Sequence, residues 1–163
     1  MRALLDSSSV INLVNAGALE LACCLDDIEW WLAPAVVDES GPTCAAVILE
    51  LQQLGMLNFL DDDQVDAGRF LALLNEHRLG AGETECVAIA AETDHHVCCD
   101  DRRARNMAAN IIGTERVFGT IRLLRWCVEQ KRIDCAEARR LLRAMRECGG
   151  FLPDTPRKYF CAG

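Results

Sequence analysis

A chain of 163 residues, 51% apolar and 26% charged, has the size of one domain and the balance of a folded globular protein rather than a disordered one. Its 25 acidic residues against 17 basic ones, net −8, exclude a protein that coats nucleic acid by bulk electrostatics alone. No run reaches the roughly 18–20 apolar residues of a bilayer crossing, and Met1-Arg2-Ala3-Leu4-Leu5-Asp6 is too short and too soon acidic for a secretory signal, so a cytoplasmic protein is expected. The average charge hides a split. Residues 1–99 carry 3 basic and 17 acidic side chains, net −14, whereas residues 100–163 carry 14 basic and 8 acidic, net +6. The 10 cysteines include no C-x-x-C pair and are expected to be free, small, apolar and mostly buried.

In chain order the patterns alternate between strand and helix. Arg2–Leu5 is a short apolar run stopped by Asp6; Ser7-Ser8-Ser9, good N-cap residues, lead into helical spacing that Gly17 breaks. A helical piece from Leu19 to Leu25 precedes a strand, Glu29–Ala33, and Pro34 opens a helix to Glu39. Ser40-Gly41-Pro42 interrupts, and Thr43–Leu54 is strongly helical. An apolar run, Met56–Leu60, then meets an acidic turn, Asp61-Asp62-Asp63, and Val65–Leu74 has helical period. Gly80-Ala81-Gly82 reads as a loop before an alanine-rich helix, Glu83–Glu92. His96–Cys99 is a buried strand ending at Asp100-Asp101, followed by a helix over Arg102–Ile112. Arg116–Phe118 is a short strand, Gly119-Thr120 turns into a helix, Ile121–Gln130, and a last helix spans Cys135–Cys148 up to Gly149-Gly150. Such alternation predicts a single domain with a central, mainly parallel sheet covered by helices on both faces, a three-layer α/β/α sandwich.

In such sheets ligands bind beyond the carboxyl ends of the strands, which makes the acids there informative. Asp6 closes the first strand, and Asp100 and Asp101 close His96–Cys99. Glu39 follows the Trp30–Ala33 strand, and Glu83 stands at a helix start behind the glycine loop. Converging carboxylates repel one another, and a hard divalent cation, Mg²⁺ or Mn²⁺, resolves that repulsion. The chemistry suggested is metal-assisted hydrolysis of a phosphodiester. Each acid also has a structural reading: Asp6 as a helix cap, Asp100-Asp101 as partners of a helix dipole, Glu39 as a solvated helical acid. Glu83 and Glu85, two apart, do not share a helix face, so at least one of them is expected to face solvent.

The ordered pieces Leu4-Leu5-Asp6-Ser7-Ser8-Ser9, Ala33-Pro34-Ala35-Val36-Val37-Asp38-Glu39, Gly80-Ala81-Gly82-Glu83-Thr84-Glu85, Val97-Cys98-Cys99-Asp100-Asp101-Arg102-Arg103-Ala104-Arg105 and Val117-Phe118-Gly119-Thr120 resemble the PIN-domain nucleases, in particular the branch close to toxins of toxin–antitoxin modules. The resemblance spans nearly the whole chain. It implies an acidic pocket for Mg²⁺ or Mn²⁺, with Asp6, Glu39, Glu83 and Asp101 in the places of the family's four acids and Asp100 as a neighbour able to share the last role. It further implies an endoribonuclease with an RNA substrate, an antitoxin partner, and pairing of two chains, for which Val47–Leu60 is an apolar surface. Glutamate stands where aspartate is more usual at the third position, and Arg122 where related sequences often carry a small residue.

Arginine suits phosphate through its planar, two-pronged donor. Arg102, Arg103 and Arg105 follow the acidic pair directly, and Arg116, Arg122 and Arg125 come further on; some of these are expected to guide a nucleic-acid backbone, with Ser8 and Thr120 supporting the acids. No aromatic interleaves the basic stretch that begins at Arg102-Arg103-Ala104-Arg105, so a stacking platform for single strands is not indicated. Two other readings compete. One is a PIN scaffold without turnover that holds RNA or protein. The other is a phosphotransferase with Asp6 as nucleophile, which normally has a second aspartate where Ser8 stands.

Overall fold

Strand β1 (Arg2–Leu5) buries Ala3, Leu4 and Leu5 completely, as a strand covered on both faces must. Asp6 then turns the chain into helix α1 (Ser7–Asn15) and is itself the N-cap, its carboxylate accepting from the Ser9 N–H; the three serines form the first turn instead. Helix α2 (Leu19–Cys23), strand β2 (Glu29–Leu32) and helix α3 (Pro34–Gln53) follow. The break expected at residues 40–42 is a kink inside α3 at Gly41 rather than a gap between helices. The computed structural model describes residues 1–61 and 64–161, so Asp62 and Asp63 of the expected acidic turn lie outside the described residues.

Strand β3 (Asn58–Phe59), helices α4 (Ala67–His77) and α5 (Ala81–Glu92), and strand β4 (His96–Cys98) come next. Helix α6 (Arg102–Ile112), a 3-10 turn at Thr114–Arg116, strand β5 (Val117–Phe118), and helices α7 (Thr120–Glu129) and α8 (Cys135–Glu147) complete the body. The glycine loop expected at residues 80–82 is shorter than it reads, because α5 begins at Ala81 with Gly80 as its N-cap.

All pairings are parallel, in the order β3-β2-β1-β4-β5, with Leu4 of β1 opposite Trp31 of β2 and Val97 of β4. Helix α5 packs on α4 and α6, α7 packs on α8 and α2, α1 packs on α8, and α3 touches both α1 and α5. This is the α/β/α sandwich with a central parallel sheet. Consecutive strands run outward from β1 to β3, and the chain then returns to the other side of β1 to place β4. The crevice where strand order reverses therefore opens between the carboxyl ends of β1 and β4, the position at which open α/β sheets bind ligands.

The cysteines depart from expectation in one place. Cys44, Cys86, Cys98, Cys99 and Cys127 are free and buried, but Cys135 and Cys161 form a disulfide, because the C-terminal segment folds back onto the start of α8. Among the described residues no helix is long and apolar enough to cross a membrane.

Candidate active site

The ends of β1 and β4 are tied together before they diverge. The Asp6 N–H donates to the Cys98 carbonyl at 3.0 Å, continuing the ladder one residue beyond the strands. Ser8 Oγ then bridges the gap: it donates to Asp6 Oδ2 at 2.8 Å and accepts from the N–H groups of Asp100 and Asp101, each at 3.2 Å. One serine hydroxyl thus fixes the spacing between the two acidic strand ends.

Asp6 is wholly buried. Burial, with a smaller contribution from the charge of Asp100, pushes its carboxyl from the ordinary 3.8 up to about 6, against hydrogen bonds from Cys99 and Ser9 that favour the anion. Because the folded carboxyl holds its proton to higher pH than the unfolded one, the folded state binds more protons between about 4 and about 6. The contribution of Asp6 to stability in metal-free buffer is therefore largest below about 4, declines as pH rises to about 6, and is constant above that. Melting temperatures measured across this range in EDTA should fall for the parent chain relative to Asp6→Asn, which keeps the cap without the charge. A variant that tracks the parent throughout would count against a carboxyl raised by burial at Asp6.

Asp100 is also buried, and both its oxygens are engaged. Oδ1 accepts from the Thr120 N–H at 2.8 Å, and Oδ2 from Thr120 Oγ1 at 2.7 Å and Asn12 Nδ2 at 2.8 Å. Asp101 is more open. It caps α6, with Oδ1 accepting from the Ala104 N–H at 2.8 Å, while Oδ2 makes no hydrogen bond among the described residues. Glu83 has the same half-engaged character: Oε2 accepts from the Gly80 N–H at 2.7 Å and Oε1 makes no hydrogen bond among the described residues. Burial first, then the charges of Asp101 and Glu39, hold the Glu83 carboxyl above its ordinary value.

Glu83, Asp100 and Asp101 line one cleft of about 250 Å³ with Ser8 and Asn12. Glu39 is drawn to one side of it. Its Oε1 accepts from the Ala81 N–H at 2.7 Å, and its Oε2 from the Gly82 N–H at 3.0 Å and Ser7 Oγ at 2.8 Å, so it seats on the N-terminus of α5. Glycine is needed there, since a Cβ on Gly82 would stand 2.3 Å from Ser7 Oγ. Glu85 returns the exchange from α5 by accepting from the Ala35 N–H in the first turn of α3 at 2.9 Å. Two neighbouring helices cap each other with a glutamate apiece. Neither Glu83 nor Glu85 is exposed, against the expectation that at least one of them would face solvent: one turns to the cleft and the other to α3.

The arginines separate. Arg102 and Arg105 line a second cavity of about 600 Å³ that shares Asp100 with the first, and Arg105 Nη1 donates to the Cys99 carbonyl at 3.4 Å. Arg103 reaches the His77 carbonyl and lines a different groove, between α4 and α6. Arg122 is exposed in the first turn of α7, one residue beyond Ile121, and Thr120 serves Asp100. Arg125 pairs with Glu129 and lies 5.0 Å over the Tyr159 ring. Arg116 is turned into structure: it donates to the carbonyls of Ala90, Thr93 and His95, collecting chain ends ahead of β4, on the far side of the sheet from the acids. Asn12 was not anticipated; its signal is a polar side chain between Val10 and Leu13 on the buried stripe of α1.

An all-parallel sheet with carboxylates gathered at its switch point and arginines at their side is the arrangement of an α/β domain with an acidic cleft beyond its strand ends. Over residues 2–159 the chain matches the family model described as a PIN domain, and it belongs to that family, whose fold is a nuclease fold. No curated protein and no solved structure matches it.

Proposed function

We propose that the protein is a metal-dependent endoribonuclease whose ion sits between Glu83 and Asp101. The observation that carries this reading is a pair of carboxylates that line one cleft at the switch point, Glu83 and Asp101, each with one oxygen (Oε1 and Oδ2) that makes no hydrogen bond among the described residues. Hard oxygen donors bearing negative charge suit Mg²⁺ or Mn²⁺, which bind through one or two carboxylates and keep several waters. Among the described residues no three acidic, histidine or cysteine side chains are placed so as to enclose an ion. When bound, such an ion supplies a water of lowered pKa and positive charge for a phosphoryl oxygen. Asp6 and Asp100 hold the two strand ends through Ser8, Ser9, Asn12 and Thr120, and Glu39 and Glu85 lock α3 to α5, so that Glu83 and Asp101 keep their separation. Arg102 and Arg105 draw the phosphate backbone to the cleft from the side of α6.

RNA as the substrate, a toxin role and an antitoxin partner belong to this reading through the motif resemblance; pairing of two chains is further favoured by exposed Leu49 and Leu54 on and just beyond α3. The test is cleavage of a panel of structured and unstructured RNAs. Activity is expected with Mn²⁺ or Mg²⁺, is abolished by EDTA and restored by added metal. Glu83→Gln should be inactive, whereas Glu85→Gln should cleave and melt earlier. RNA binding without cleavage under every metal would replace this reading with that of a non-hydrolytic RNA-binding module.

A further inference from the structure

Among the described residues one large apolar side chain is wholly exposed: Phe151, with a relative accessibility of 101%. It is not on a loose tail. Leu152 beside it is buried, the Gly150 N–H donates to the Met145 carbonyl at 2.9 Å, and the Leu152 N–H donates to the Gly150 carbonyl at 2.9 Å. Gly150 approaches α1 so closely that a Cβ would stand 2.5 Å from Asn12 Oδ1. Further along, Phe160 is buried and the Cys135–Cys161 disulfide ties the segment to α8. The fold thus holds in place the backbone that presents this ring to water.

Its position explains what a ring there is able to do. Phe151 lines both the acidic cleft and the adjoining cavity of about 600 Å³, whose lining also includes Arg102, Arg105 and Arg146. That volume lies in the roughly 300–1,000 Å³ range of small-ligand sites. Arg146 pairs with the exposed Asp154, and such a surface pair is worth little and exchanges readily for phosphate. The arginine run Arg102–Arg105 has no aromatic of its own and Phe118 further on is buried, but the turn at Gly149-Gly150 brings a ring to it.

We propose that Phe151 and Arg146 form a nucleotide subsite beside the acidic cleft, in which one unpaired base of the RNA strand stacks on the Phe151 ring while its phosphate meets Arg146 and Arg102. A base held in a duplex has no free face for the ring, so the subsite selects unpaired segments. The subsite rests on the nuclease reading for its substrate, and binding tests it apart from that reading.

The measurement is equilibrium binding of a labelled single-stranded RNA 12-mer and of the matching duplex to the full chain, with Ca²⁺ in place of Mg²⁺. Phe151→Ala should weaken single-strand binding about tenfold, in line with the usual worth of one stacked base, and leave duplex binding as it was. Phe151→Trp should bind at least as tightly as the parent. Arg146→Gln should weaken binding and lower the salt slope by about one. Both positions are exposed, and melting curves of the three variants should be near those of the parent. Phe151→Ala binding like the parent, a parent preference for duplex, or no RNA binding by the parent would each overturn the subsite. Loss of metal-dependent cleavage with the Phe151 effect on binding intact would overturn the nuclease reading and leave the subsite standing.

Discussion

Asp101→Asn is expected to lose more than about 100-fold in RNA cleavage, in the range found when one stabilising group is removed from an active site, while melting close to the parent chain. The two halves of this expectation come from the two oxygens of one side chain. Oδ1 caps α6 by accepting from the Ala104 N–H, and asparagine is as good an N-cap as aspartate, so the helix keeps its start. Oδ2 supplies the negative charge on the cleft beside Glu83, and the amide removes it. Asp101→Ala would confound the two effects, because it also takes away the cap, at about 1 kcal/mol. The informative comparison is therefore Asn against Ala: equal loss of activity with unequal melting separates charge from capping. Cleavage surviving in Asp101→Asn would sink the assignment of Asp101 to the metal.

Asp101 and Asp6 were legible in the sequence because the signal is local. An apolar run that stops at an aspartate and is followed by helical spacing places that aspartate at a strand end, and a parallel sheet gathers strand ends on one rim. The strand order, by contrast, follows from crossovers, and no residue pattern announces that β4 returns beside β1. The exchange of Glu39 and Glu85 between α3 and α5 depends on how far one helix is advanced along the other, which is a tertiary distance. Arg116 read as part of a basic series, yet three carbonyls left over near the end of α5 and the start of β4 take its guanidinium. Phe151 was missed for the opposite reason. Nothing within the basic stretch suggests stacking, and only the turn after α8 carries the ring to Arg102. The boundary near residue 100, where the chain changes from acidic to basic, does coincide with the place where the acidic cleft adjoins the arginine-lined cavity.

Asp100→Ala should be the more damaging change to the fold. Its carboxylate is the buried acceptor for three donors on two elements: the Thr120 N–H and hydroxyl at the start of α7, and the Asn12 amide on α1. Thr120 is wholly buried and Asn12 nearly so, so water does not replace the lost acceptor without opening the structure. Leaving buried donors unsatisfied costs about 1–3 kcal/mol each, so the sum is on the order of 3 kcal/mol or more, or roughly 10 °C in melting temperature for a chain of this size. Asparagine at this position is a poor rescue, because its own N–H₂ would face either the Asn12 amide or Thr120. Asn12→Ala with Asp100 intact removes one donor and leaves two, and should cost correspondingly less. The displacement should also reach the C-terminal segment, since Asn12 is the surface on which Gly150 rests and Gly150 carries Phe151. Urea unfolding of the three variants, with hydrogen exchange at Gly150 and Leu152, measures both effects. Asp100→Ala melting within a degree or two of the parent would show that its hydrogen bonds do not hold β4, α1 and α7 together.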